Sequence, residues 1–161
     1  MKVVAVDLEM NQPSTRIIQI GAVCFRPESG ELVDTFNHLV NPGEVISKEI
    51  TILTRIKNED VNAGLSNDIR KIYDESKIEN PFKSRVIDVK GVFQMLANTS
   101  GAKMRQKVGL AKACEDMGLG WDAKFGNQHN ALADAYNTMR LYMFFAKCLK
   151  GAVEIKLGTT I

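Results

Sequence analysis

The first forty residues carry the short β-branched and alternating apolar runs of strands. From Ser47 onward the apolar spacing changes to three and four, the period of helices. Val3-Val4-Ala5-Val6 is a near-continuous apolar run, which suits a central strand covered on both faces. Ile17 to Phe25 predicts a longer second strand. Pro27-Glu28-Ser29-Gly30 supplies turn chemistry, so Leu32 to Val40 returns as a hairpin, and Asn41-Pro42-Gly43 ends it. Ser47 is placed to cap a short helix carrying Ile50 and Leu53, and Asn58 another that begins Glu59-Asp60-Val61. Ile69, Ile72 and Tyr73 predict a helix from about Asn67 to Ile78, closed by Pro81. Val86-Ile87-Asp88-Val89 has the composition of a further strand, after which Val92, Phe93 and Leu96 open the next helix. Leu110, Cys114 and Met117 line a helix ended by Gly118 and Gly120. The last helix is the longest, with Leu132, Tyr136, Met139, Met143 and Ala146 in one stripe and Lys150-Gly151 as its stop. Val153 to Leu157 then alternates like an edge strand, or forms a loose terminus.

These elements make one α/β domain over residues 1–161, with no internal repeat or linker. Apolar residues at 45% and charged residues at 25% are ordinary for a packed domain and exclude disorder as the main state. The charge sum, 21 − 19 = +2, does not announce a nucleic-acid binder, though it is compatible with a polyanionic substrate. Cys24, Cys114 and Cys148 are odd in number, form no C-x-x-C pair and sit in apolar stretches. They read as buried thiols in a reducing compartment. Asp7 stops the first apolar run before it could serve as a secretory signal, and Lys147 and Lys150 break the stretch Leu141 to Val153. No membrane association and a cytoplasmic location are expected.

Chemistry enters at Asp7 and Glu9. Residues two apart on a strand point the same way, so two carboxylates project together after an apolar run. A hard divalent cation with oxygen ligands would compensate them; a strand emerging into solvent at Asp7 accounts for them equally well. The second signal is His129-Asn130-Ala131-Leu132-Ala133-Asp134. A histidine at a helix start and an aspartate five residues on, in the second turn, can border one site, and a neutral imidazole can take a proton from a metal-bound water.

Together these stretches resemble the DEDDh exonuclease family, which includes ribonuclease T, the proofreading epsilon subunit of DNA polymerase III and Eri-type 3′ exonucleases. The residues that carry the resemblance are Val6-Asp7-Leu8-Glu9-Met10 with Ile17 to Val23, then Ile50 to Ile56 with Glu59-Asp60-Val61, and His129 to Ala135. They follow the family's order and cover most of residues 1 to about 146. Arg55 stands where the middle pattern often has glycine. Ser66-Asn67-Asp68 and Pro81-Phe82 look most like the Eri-type and phage-encoded branch.

The resemblance implies a ribonuclease H-like fold, a mixed central β-sheet flanked by helices. It implies two Mg²⁺ or Mn²⁺ ions held by Asp7, Glu9, Asp68 and Asp134, with His129 as general base. The activity it implies is 3′-to-5′ hydrolysis of single-stranded DNA or RNA, releasing nucleoside 5′-monophosphates. Met10 and Asn11 follow the first motif as substrate contacts, although core packing equally explains a methionine. Lys103, Arg105 and Lys107, with Lys112, are candidates to hold backbone phosphates, although a solvated helix face is the more usual meaning of such a run.

One departure stands out. Only six residues separate Val61 from Asp68, where the family fits a helix and then a central strand. Without that strand the sheet would carry unpaired backbone groups in its middle. Either a segment is missing from the chain as written, or the chain is a true deletion, or the second acidic position lies elsewhere (Asp60 and Asp74 are near). The first is preferred, because the motifs on either side are intact. The chief rival to the enzyme is a catalytically impaired nucleic-acid-binding module of the same fold. A ribonuclease H-type endonuclease stands behind it.

Overall fold

The computed structural model describes residues 1–62, 87–99 and 108–157. The short interval between Val61 and Asp68 falls on residues 62–67, of which all but Asn62 lie outside the described residues. Asp68, the Asn67–Ile78 helix, Asp74, Lys103, Arg105 and Lys107 lie outside the described residues.

Three antiparallel strands form a meander in the order β1 (Val3–Met10), β2 (Ile17–Arg26) and β3 (Glu31–Leu39). The β2–β3 turn closes as expected. Gly30 takes a φ of 73°, which glycine adopts without a Cβ penalty, and its N–H donates to the Arg26 carbonyl at 2.8 Å. In β2 the alternation is strict after Gln19: Gly21, Val23 and Phe25 are buried, and the residues between them are half-buried. The buried set faces the long helix described below.

Val4, Val6, Leu8 and Met10 stay exposed, so among the described residues β1 is covered on one face rather than both. No described strand pairs with its outer edge. The described sheet is antiparallel throughout, without the parallel pairing of a mixed sheet.

Helix α1 (Lys48–Thr54) is capped by Ser47, whose hydroxyl accepts from the Ile50 N–H at 3.4 Å. Helix α2 (Asn58–Asn62) starts differently from the expectation. Asn58 does not cap it; its side-chain Oδ1 accepts from the Ile46 N–H at 2.8 Å, while the Asp60 carboxylate accepts from the Lys57 N–H at 2.8 Å. Ile18, Ile46, Ile50, Ile56 and Val61 form the core beneath these two helices.

Of the expected strand at 86–89, residue 86 lies outside the described residues and residues 87–89 are not a strand. Asp88 accepts from the Lys90 N–H at 3.0 Å, and Val89 opens helix α3 (Val89–Thr99). A local side-chain acceptor at a helix start outweighs the strand propensity of the β-branched residues around it. Helix α4 (Leu110–Asp116) ends at Gly118, with φ 70°. Helix α5 (Ala131–Leu157) runs through the expected stop and through the expected edge strand, 27 residues in all. A glycine ends a helix when it takes the left-handed conformation. Gly151 does not; only Gly30, Gly43, Gly118, Gly120 and Gly126 have positive φ among the described glycines.

On its inner side α5 packs Leu132, Ala135 and Met139 against Val23 and Phe25. Further along, Leu141 and Phe145 meet Phe93, Ala113 and Cys114. No helix among the described residues is long and apolar enough to cross a membrane.

Candidate metal centre

The site is built where the start of α5 meets β1 and β2. Asp7 lies opposite Gly21 and Glu9 opposite Gln19 in the antiparallel register. Gly21 is required by close approach. A Cβ there would lie 2.1 Å from the Ala131 carbonyl carbon and 2.1 Å from the Leu132 nitrogen, inside the backbone of the helix. Gln19, 3% exposed, fastens the same turn: its carbonyl oxygen accepts from the Ala131 N–H at 3.0 Å, and its NH₂ donates to Asn37 at 2.8 Å. Asn130 completes the helix start by accepting from the Leu132 and Ala133 N–H groups at 3.2 and 3.3 Å. The helix therefore begins directly over the strand positions that neighbour the two acidic residues.

Asp134 stands in the first turn of α5, one turn earlier than expected. One of its carboxylate oxygens is buried with no hydrogen-bond partner. His129, just before the helix, has a φ of 62° and is exposed. One ligand atom each from Glu9, His129 and Asp134 lie within 4.8 Å of one another. Asp7 falls outside that tight group, but it is coupled to it by charge. Burial, and then the Asp134 carboxylate, pushes Asp7 up to about 7. Burial also holds Glu9 up at about 7, with Asp7 and Asp134 adding repulsion. Asp134 is itself raised by burial, against a lowering contribution from His129. Three carboxylates that repel one another in a partly desolvated corner are electrostatically incomplete.

The carboxylate oxygens, one with an unmet lone pair, fit a hard divalent cation, and the imidazole stands within reach of them as a proton acceptor. The positive end of the helix dipole lies beside them and offsets part of the repulsion. A cavity of about 540 Å³, lined by Trp121, Gln128, His129, Asp134 and Lys112 among others, opens at this corner.

No family model matches the chain in sequence, and no curated protein is significantly similar to it. Solved structures do match. A full-length 3′-exonuclease superposes with a TM-score of 0.67 at 18% identity over 91% of this chain, which spans only 60% of that protein. The nuclease domain of 3′hExo, a DEDDh family member bound to rAMP, gives 0.59 at 19% identity, covering 91% of this chain and 92% of its own. Exonuclease X, in complex with 5′ overhanging duplex DNA, gives 0.63 at 20% identity, covering 98% and 93%.

This chain has the fold of the DEDDh 3′-exonucleases. That fold is of the ribonuclease H-like class.

Of the residues singled out in the sequence, the structure gathers Asp7, Glu9, His129 and Asp134 into one site. Met10 is exposed, following a register shift after Glu9. Asn11 is buried, and its amide is taken up locally. It donates to Glu44 at 2.7 Å and the Val45 carbonyl at 3.1 Å, and accepts from the Ser47 N–H at 2.9 Å. Lys112 is exposed and paired with Asp116 at 2.6 Å and Glu115 at 3.3 Å. Sequence reasoning missed Gln19 and Gly21. The available signal was a polar residue and a glycine two apart inside an otherwise apolar strand, a pattern of close backbone approach.

Proposed function

We propose that the protein is a metal-dependent 3′-5′ exonuclease acting on the 3′ ends of single-stranded DNA or RNA and releasing nucleoside 5′-monophosphates. The observation that carries this reading is the convergence of three desolvated carboxylates, Asp7, Glu9 and Asp134, with His129 at one corner of this fold. Nucleic acid as the substrate draws support from the fold's relatives, which include proteins bound to rAMP and to DNA.

Glu9, Asp134 and Asp7 would hold two Mg²⁺ or Mn²⁺ ions, with Asp68 as the fourth carboxylate by resemblance. Bound there, divalent ions supply Lewis acidity for the attacking water and neutralise charge on the leaving oxygen. His129, exposed at the cavity, accepts the proton of the water as its oxygen attacks the terminal phosphorus. The bond to the 3′-oxygen breaks, and that oxygen is protonated as the shortened strand departs. Anchoring Asp134 on the first turn of α5, with the helix start pinned by Gln19, limits reorganisation during the reaction.

The test is release of mononucleotides from a 5′-labelled single strand with Mn²⁺, by the wild type and by Asp7→Ala. The wild type is expected to shorten the strand one nucleotide at a time, and Asp7→Ala to lose more than ~100-fold in rate, the scale of losing one preorganised charge element. Equal release by both proteins would falsify the enzyme reading. Internal cutting of a strand with a blocked 3′ end would replace it with an endonuclease.

A further inference from the structure

A second cavity, of about 380 Å³, meets the site through Gln128 and His129, which line both spaces. Its other walls come from β2, β3, the end of α1 and α2, including Asn37, Arg55 and Asp60. Arg55 is the C-cap of α1, with φ 65° and ψ 8° in the left-handed region, and its N–H donates to the Thr51 carbonyl. Every side chain with a Cβ is penalised there, which is why glycine is the usual occupant. The backbone on both sides is fixed: buried Thr54 donates to the Ile50 carbonyl at 2.8 Å and accepts from the Ile56 N–H at 3.2 Å. The turn therefore gains nothing from an arginine.

Among the described residues Arg55 makes no side-chain hydrogen bond or ion pair, whereas Lys112, the cation lining the first cavity, is paired twice. The cavity's carboxylate, Asp60, already accepts from the Lys57 N–H. Asn37 accepts from Gln19, and no described residue accepts from its NH₂ group. A cation unpaired among the described residues, with amide donors, thus borders a space that shares Gln128 and His129 with the cavity lined by Asp134. A strained residue without a local structural role is a pointer to function.

We propose that Arg55 receives a backbone phosphate of the substrate strand in this second cavity, next to the phosphodiester being cut. The proposal rests on the exonuclease reading for the identity of the strand. A guanidinium suits a phosphate through paired N–H donors, and its charge offsets the repulsion that the carboxylate corner imposes on an incoming polyanion.

The experiment measures equilibrium binding, so it does not depend on turnover. A short fluorescein-labelled single strand with a non-hydrolysable 3′-terminal linkage is titrated by anisotropy with wild type, Arg55→Gly and Arg55→Lys in Mn²⁺. Salt is varied from about 50 to about 200 mM. One lost phosphate contact reduces the slope of log K against log salt by about 0.7 for a single strand. Arg55→Gly is expected to bind about 5- to 20-fold more weakly with that shallower slope, Arg55→Lys to retain the slope, and Arg55→Gly to melt at or above the wild-type temperature. Three results would overturn the proposal: an unchanged affinity and slope, a loss that tracks the identity of the terminal base at constant slope, or a lowered melting temperature that accounts for the loss. A wild type that binds this strand with the expected slope but releases no nucleotide from the hydrolysable strand of the same sequence would sink the exonuclease reading and leave this contact standing.

Discussion

His129 carries two constraints in one residue. Its backbone lies at φ 62°, and its ring shares a 4.8 Å neighbourhood with Glu9 and Asp134. Substitution by glycine separates them, because glycine adopts that conformation freely while removing the imidazole. His129→Gly is therefore expected to melt within a few degrees of wild type and to lose roughly 10²- to 10⁴-fold in turnover, the range for a general base. Thermal melts and single-turnover rates check the two halves separately. Turnover within a few-fold of wild type would remove His129 from the chemistry.

The contact between α5 and β2 decides whether the carboxylates meet at all. A Cβ at Gly21 would meet backbone atoms at 2.1 Å, and backbone cannot rotate aside as a side chain can. Gly21→Ala should therefore displace the helix start from the sheet. The expected destabilisation is about 3 kcal/mol or more, at the upper end of overpacking costs, read as a lower midpoint in urea unfolding. A displaced helix also carries Asp134 away from Asp7 and Glu9, so metal affinity should fall further than stability alone explains. An unchanged midpoint would mean that the two elements sit farther apart than described. Both halves of this contact are present in the sequence as letters, but nothing in the spacing of Gly21 and Ala131 declares that they touch. Their separation along the chain is too long for any local pattern to encode.

Across the folded domain, the raised carboxylates link stability to pH. Asp7 and Glu9 titrate near 7 in the fold, against ordinary values of 3.8 and 4.5. Between about 4 and 7 the folded state keeps protons that the unfolded state has released, so stability falls as pH rises through that window. Both groups are partly exposed, so solvent screening reduces the effect to the order of 1–2 kcal/mol, roughly 3–6 °C in melting temperature. The metal-free protein should accordingly melt lower at pH 8 than at pH 5. Mn²⁺ should raise the melting temperature more at pH 8, because protons no longer compete for the ligands. A shift with Mn²⁺ that is the same at both pH values would argue against these carboxylates as its ligands.

The strands and the long helix were legible because they are written in local chemistry, as period-two runs, a turn at Gly30 and an apolar stripe at helical spacing, whereas Asp7, Glu9, His129 and Asp134 were drawn together in the sequence only by the family resemblance. The use of Asn11 was decided only by the packed chain, because its amide is taken up by Glu44, Val45 and Ser47, groups more than thirty residues away that no local preference assigns. The elevated proton affinity of the site is likewise a tertiary property. It comes from burial and from charges that share a corner only because a glycine without a side chain lets a helix rest on a strand.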